Sequence, residues 1–145
     1  MYLYIAAPLC CESEKSFNLK LNDFVKSSGH TTYLPQLDGG VMSDFVKAGM
    51  NEEQVRKKLF ELDVFKMKEC EGVLILLDGR TIDEGACFEL GYMFSVGKIC
   101  FGFKTDSRSF IRGKNNLMLD GALEVILYNW DDLKQYLTNL NQKQK

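Results

Sequence analysis

The stretch LLDGRTIDEGACFELGY, Leu76 to Tyr92, holds two carboxylates six residues apart, Asp83 and Glu89. Glu89 stands among Ala86, Cys87, Phe88, Leu90 and Tyr92, where a carboxylate is costly to desolvate unless something pairs with it or uses it. If a helix begins near Asp83, the Glu89 side chain leans back over Gly85, which has no side chain of its own. That clears space in front of the carboxylate, and the positive end of the helix dipole favours its ionised form. An ionised, accessible carboxylate can act as a nucleophile; the alternative for Glu89 is a salt bridge to a lysine on a neighbouring element. Asp83 suits the N-cap position, accepting from the backbone N–H of Gly85 or Ala86. Asp63, in FELDVF, sits either on a solvated helix face or beside these two acids. Tyr4 is either a core aromatic of the first strand or a phenol that reaches a carboxylate.

Other chemistries have few residues to draw on. The one histidine, His30 in SSGHT, is expected on a surface turn after a helix, which argues against Ser–His and Cys–His catalysis. Five cysteines lack the CxxC pairing of zinc sites, and most of them read as small core residues in a reducing compartment. The segment DGRTIDEGACFELG is not GxGxxG, and Asp83 and Glu84 repel a pyrophosphate at that helix start. Neither a metal nor an organic cofactor is expected. A net charge of −2 with interspersed signs gives no basic stripe for nucleic acid. No apolar run approaches the length of about 18 residues that spans a membrane, and the chain enters MYLYIAAP without a signal-type start. The expectation is a soluble, cytoplasmic protein.

The elements that must position these groups follow from pattern. Strands are predicted at Tyr2 to Ala7, Thr31 to Leu34, Gly72 to Leu77, Ile99 to Phe103 and around Leu123 to Leu127. Helices are predicted at Glu14 to Ser28, Asn51 to Cys70, Asp83 to Val96 and in DDLKQYLTNL, with QLDGGVMSDFVKAGM as a loop or short helical piece. GVLILL is unbroken aliphatic, as in a central strand buried on both faces. The class is α/β: a doubly wound, flavodoxin- or Rossmann-like, mainly parallel five-stranded sheet with helices on both faces. Residues 1–138 form one domain and 139–145 a polar tail. The loops APLCC, PQLDGG and DGRTIDEG then fall at the carboxyl ends of strands, where such sheets bind ligands.

The ordered set YIAAPL, Pro35-Gln36, LFELDVFKMKECEGVLILLDG, DEGACFELGY, KTDSR and NNLMLDGAL resembles the nucleoside 2-deoxyribosyltransferases from about residue 2 to residue 127. Its specific parts are D-x-G-x-x-x-E-x-G after an aliphatic strand and N-L-M in the last third. The resemblance implies exchange of 2-deoxyribose between purine or pyrimidine bases through a covalent deoxyribosyl-glutamate, with net retention. It makes Glu89 the nucleophile, Tyr4 its orienting phenol, and Asp63 and Asp83 the groups that handle and protonate the base. Asn116 and Met118 would reach the sugar's 5′-hydroxyl in a neighbouring subunit, which implies a homodimer or a larger homo-oligomer, up to a hexamer, with shared sites. Pro8, Gly85, Gln36 and Asp38 complete the expected substrate contacts.

One departure is the loop PLCCESEK, which replaces the family's bulky aromatics and leaves base preference open. Two further readings stand beside the transferase. A deoxynucleoside 5′-monophosphate N-glycosidase on the same scaffold needs a phosphate cradle, whereas Ser13 and Ser16 here adjoin Glu12 and Glu14, with Arg80 the nearby guanidinium. A non-catalytic nucleoside-sensing module would need the crevice but not Glu89. The run Leu117-Met118-Leu119 either begins the last strand or is an apolar surface awaiting a partner.

Overall fold

A computed structural model describes residues 1–40, 42–108 and 115–142. Five strands, β1 (Tyr2–Ala6), β2 (Thr31–Tyr33), β3 (Gly72–Leu76), β4 (Ile99–Phe103) and β5 (Val125–Leu127), form one sheet in the order β2-β1-β3-β4-β5. Every adjacent pair is parallel. Parallel pairing requires crossovers, supplied by α1 (Glu12–Ser27), α4 (Glu52–Glu69), α5 (Glu84–Ser95) and α6 (Leu117–Ala122), and α7 (Trp130–Gln142) closes the chain. The short helices α2 (Pro35–Asp38) and α3 (Met42–Lys47) occupy the stretch expected as a loop with a helical piece. This is the doubly wound α/β class, and the order reverses between β1 and β3, the position of the ligand crevice in such folds.

Alternation along the strands divides the core by face. Leu3, Ile5, Leu74 and Phe101 pack with Leu21 and Val25 of α1 and Leu133 and Leu137 of α7. Tyr4, Ala6, Val73 and Ile75 face the other way, onto Met67 of α4 and Leu90 and Met93 of α5. β3 is buried along its whole length, and truncating Leu74 or Ile75 to alanine should cost about 2–5 kcal/mol. The second face carries the acids of interest.

Local chemistry explains the boundaries. Asn51 caps α4, accepting from the Gln54 N–H at 2.9 Å while the Gln54 side chain accepts from the Asn51 N–H at 3.1 Å. Gly29, at φ +87°, ends the turn after α1 in the left-handed region.

Three expectations are corrected. His30 is buried, not on a surface turn, with Nε2 2.9 Å from the Leu137 carbonyl, because α7 folds over the start of β2. Residues 139–142 are not tail: α7 runs to Gln142, with Leu140 buried and Asn141 donating to the Ser28 carbonyl. Leu117 to Leu119 do not start β5; they open α6, because Asn116 caps that helix by accepting from the Met118 N–H at 2.9 Å. Among the described residues, no helix is long and apolar enough to cross a membrane.

Candidate active site

Tyr4 lies in β1 beside the switch point, its side chain fully buried on the face covered by α4 and α5. Its hydroxyl donates to Glu89 Oε1 at 2.6 Å. A second pair runs alongside: the Tyr33 hydroxyl, at the end of β2, donates to Asp63 Oδ1 of α4 at 2.9 Å. The two tyrosine rings lie 5.4 Å apart between centroids, within the range of favourable aromatic contact. Two strands and two helices thereby bring two phenol–carboxylate pairs to one place. Among the described residues no lysine pairs with Glu89; its partner is Tyr4. Asp63 is likewise no solvated face residue but a half-buried acceptor.

Burial dominates the electrostatics. Desolvation pushes the Glu89 carboxyl up from 4.5 to about 8, and the charges of Asp63 and Asp83 push the same way, against the Tyr4 hydrogen bond that lowers it. Loss of water thus opposes the ionised state expected from the helix dipole, and it does so more strongly than the Tyr4 hydrogen bond favours that state. Burial also raises Asp63, opposed by its bond from Tyr33. Both phenols are raised, foremost by burial, and remain neutral donors. A cluster of displaced carboxyls in a ligand crevice is how active sites prepare acids and bases for chemistry near neutral pH.

Asp83 caps α5, accepting from the Ala86 N–H at 2.9 Å. A Cβ built on Gly85 would meet Asp83 Oδ2 at 3.0 Å, while the Glu89 side chain stays beyond 4 Å from it. The missing side chain at position 85 thus clears Asp83 rather than Glu89, which corrects the sequence reading.

The loop that presents Asp83 is held by a clasp that sequence reasoning missed. Asp78, after β3, accepts from the Thr105 and Asp106 N–H groups at 2.6 and 2.8 Å and from the Thr105 hydroxyl at 2.5 Å. Asp106 in turn accepts from the Gly79 N–H at 3.0 Å and pairs with Arg108, which holds its carboxyl well below the usual range. The available signal was an aspartate just past each of two adjacent parallel strands. Tyr33 was missed as well, and its position at the end of β2 was the clue.

The remaining expected contacts are placed differently. Gln36 bridges to α1, donating to the Lys15 carbonyl and accepting from Asn18, whose amide also reaches the Pro8 carbonyl at 2.8 Å. Asp38 accepts from the Leu34 N–H at 2.8 Å, bracing α2. Asn116 and Met118 are exposed. They line a cavity of about 800 Å³ between α5, α6 and the β3–α5 loop, and none of Tyr4, Asp63, Asp83 and Glu89 lines it. This cavity lies apart from the acids, whose hydrogen bonds carry the chemical argument.

Comparison with known proteins agrees with this frame. The profile of the family described as Nucleoside 2-deoxyribosyltransferase matches residues 3–137. The 2-deoxyribosyltransferase of Bacillus psychrosaccharolyticus superposes with a TM-score of 0.78 at 22% identity, covering 94% of this chain and 92% of that one. A conserved protein of Enterococcus faecalis V583 gives a TM-score of 0.80 at 19% identity, over 96% and 98% of the two chains. A CMP N-glycosidase of Clostridium botulinum gives 0.59 at 17% identity, over 97% and 99%. An uncharacterized protein of Schizosaccharomyces pombe is 40% identical over 57 residues, which span 37% of this chain and 27% of that protein.

Proposed function

The chain belongs to the nucleoside 2-deoxyribosyltransferase family, and from that premise we propose that it exchanges 2-deoxyribose between nucleobases through a covalent bond to Glu89. The observation that carries the reading is the 2.6 Å hydrogen bond by which Tyr4 aims a half-buried Glu89 carboxylate from beside the switch point.

In the forward step the ionised Glu89 oxygen attacks C1′ while the C1′–N bond breaks, its electron pair leaving with the base. The departing nitrogen takes a proton from a carboxylic acid, Asp63 or Asp83. Asp63 suits the task because burial raises it, so it holds a proton at higher pH than an ordinary aspartate. An incoming base then returns that proton to the aspartate, attacks C1′ and displaces Glu89. Two inversions give net retention. Tyr4 stays neutral and holds the glutamate in line. The attacking form is Glu89 that has released its proton to solvent, a release that burial holds back up to about 8, and the oxocarbenium-like sugar stabilises the carboxylate as the C1′–N bond breaks.

Asn116 and Met118 are assigned to the crevice of a neighbouring subunit, which makes the working unit a homodimer or larger. Asn116 is exposed and Met118 is 73% accessible, which supports that assignment. The cellular setting that fits is cytoplasmic recovery of deoxynucleosides, with no cofactor.

Incubation with a 2′-deoxynucleoside and a second free base tests the reading. A new deoxynucleoside supports it; free deoxyribose or its phosphate marks a hydrolase, and binding without turnover marks a sensing module.

A further inference from the structure

The cavity beside α6 has its own chemistry. On α5 it is lined by Cys87, Leu90, Gly91 and Phe94. Glu89 lies two residues past Cys87, about 200° around the helix, and so on the opposite flank. Its volume of about 800 Å³ falls within the roughly 300–1,000 Å³ of ligand cavities.

Its charge is one-sided. Arg80 and Lys104 line it and no carboxylate does, in a chain where Asp and Glu outnumber Lys and Arg by 20 to 18. Lys104 is 8% exposed and directly follows β4, its N–H donating to the Leu127 carbonyl. Its ammonium donates to the neutral Asn115 Oδ1 at 2.6 Å, and Asn115 in turn donates to Asp120 at 2.8 Å. Among the described residues, neither Lys104 nor Arg80 forms an ion pair, and residues 109–114, SFIRGK, hold no carboxylate side chain. A buried ammonium without an anion is uncommon, because the lost hydration is ordinarily offset by a paired charge.

We propose that this cavity binds a small organic anion, its carboxylate, phosphate or sulfonate between Lys104 and Arg80 and its apolar ring body against Leu90, Phe94, Leu119 and Ala122. The anion completes the missing pair, and the apolar wall excludes a bare inorganic ion. The site does not include Glu89, but it shares Asn116 and Met118 with the subunit contact proposed above, so it requires that this contact leave Lys104 and Arg80 open to the anion.

The test is a fluorescence titration of the full chain with anilinonaphthalene sulfonate, with uncharged phenylnaphthylamine and inorganic phosphate as comparisons. The sulfonate should saturate at one per chain, outbid phenylnaphthylamine, resist displacement by phosphate, and weaken with salt. Lys104→Met should weaken it about tenfold and Arg80→Gln several-fold. Gly91→Leu fills the cavity, since a Cβ there meets nothing within 4 Å; it should abolish binding with near-ultraviolet dichroism unchanged, which separates a built site from loosened packing. Arg80 is exposed, so its variant should fold even if Lys104→Met does not. Glu89→Gln should bind as wild type. Equal affinity for the uncharged probe, binding unmoved by Arg80→Gln and Gly91→Leu, or loss of binding as two chains associate would each overturn the proposal, the last by giving the cavity to a second copy.

Discussion

Replacing Glu89 with glutamine tests the desolvation of this carboxyl through stability alone. In the folded chain the group holds its proton up to about 8, against an ordinary 4.5. The unfolded chain releases the proton first, so the folded state binds more protons between these values and its stability falls as pH rises. The contribution is fully present below about 4.5 and is lost by about 8. At about 1.4 kcal/mol per pH unit the span is at most about 5 kcal/mol. Glu89 is half-buried, not sealed, and solvent screening reduces this to about 1–3 kcal/mol. Glutamine cannot ionise and still accepts from Tyr4. The melting temperature of Glu89→Gln relative to wild type should therefore climb by roughly 5–10 °C between about pH 5 and pH 9, read by circular dichroism melts in matched buffers. A difference that stays flat across that range would refute the reasoning, because it would mean that burial does not hold the proton on Glu89.

Tyr4→Phe removes the hydrogen bond that lowers Glu89, so the rising limb of the pH–rate profile should move above about 8 and exchange near pH 7 should drop about tenfold or more; an unmoved limb would exclude the orienting role. Asp83→Asn keeps an equally good helix cap, so stability should stay within about 0.5 kcal/mol while exchange falls, most for bases that must be protonated to leave. A substrate with an activated leaving group should partly rescue it. Asp78→Ala breaks three hydrogen bonds of the loop clasp and should raise KM more than it lowers kcat, measured by initial rates. Mixing inactive Glu89→Ala with inactive Asn116→Ala should restore activity if a site is shared between subunits; mixtures that stay inactive argue for sites complete within one chain.

Much of the frame was legible because it is local. Asn51 and Asp83 announce helix starts through their own side chains, and GVLILL announces a buried strand by composition. That the acid at position 89 needs a partner was legible because a carboxylate in apolar company is costly to desolvate, and the partner is Tyr4. Distant closures were not. His30 depends on a carbonyl 107 residues away, and the bond from Tyr33 to Asp63 joins β2 to α4 across 30 residues. The upward shift of the Glu89 carboxyl follows from how much water the fold removes, which its place on the helix alone does not report. Leu117-Met118-Leu119 has strand-like composition, and only the Asn116 cap turns it into helix.

Acid-quenched mass spectrometry of the protein during turnover can detect a covalent deoxyribosyl bond to Glu89. With a 2′-deoxynucleoside and no acceptor base, the peptide that holds Glu89 should gain the mass of one deoxyribosyl group. The added mass should vanish when free base is supplied and should never form in Glu89→Gln. Base exchange that proceeds at full rate in Glu89→Gln, or an adduct carried by a different residue, would contradict the account.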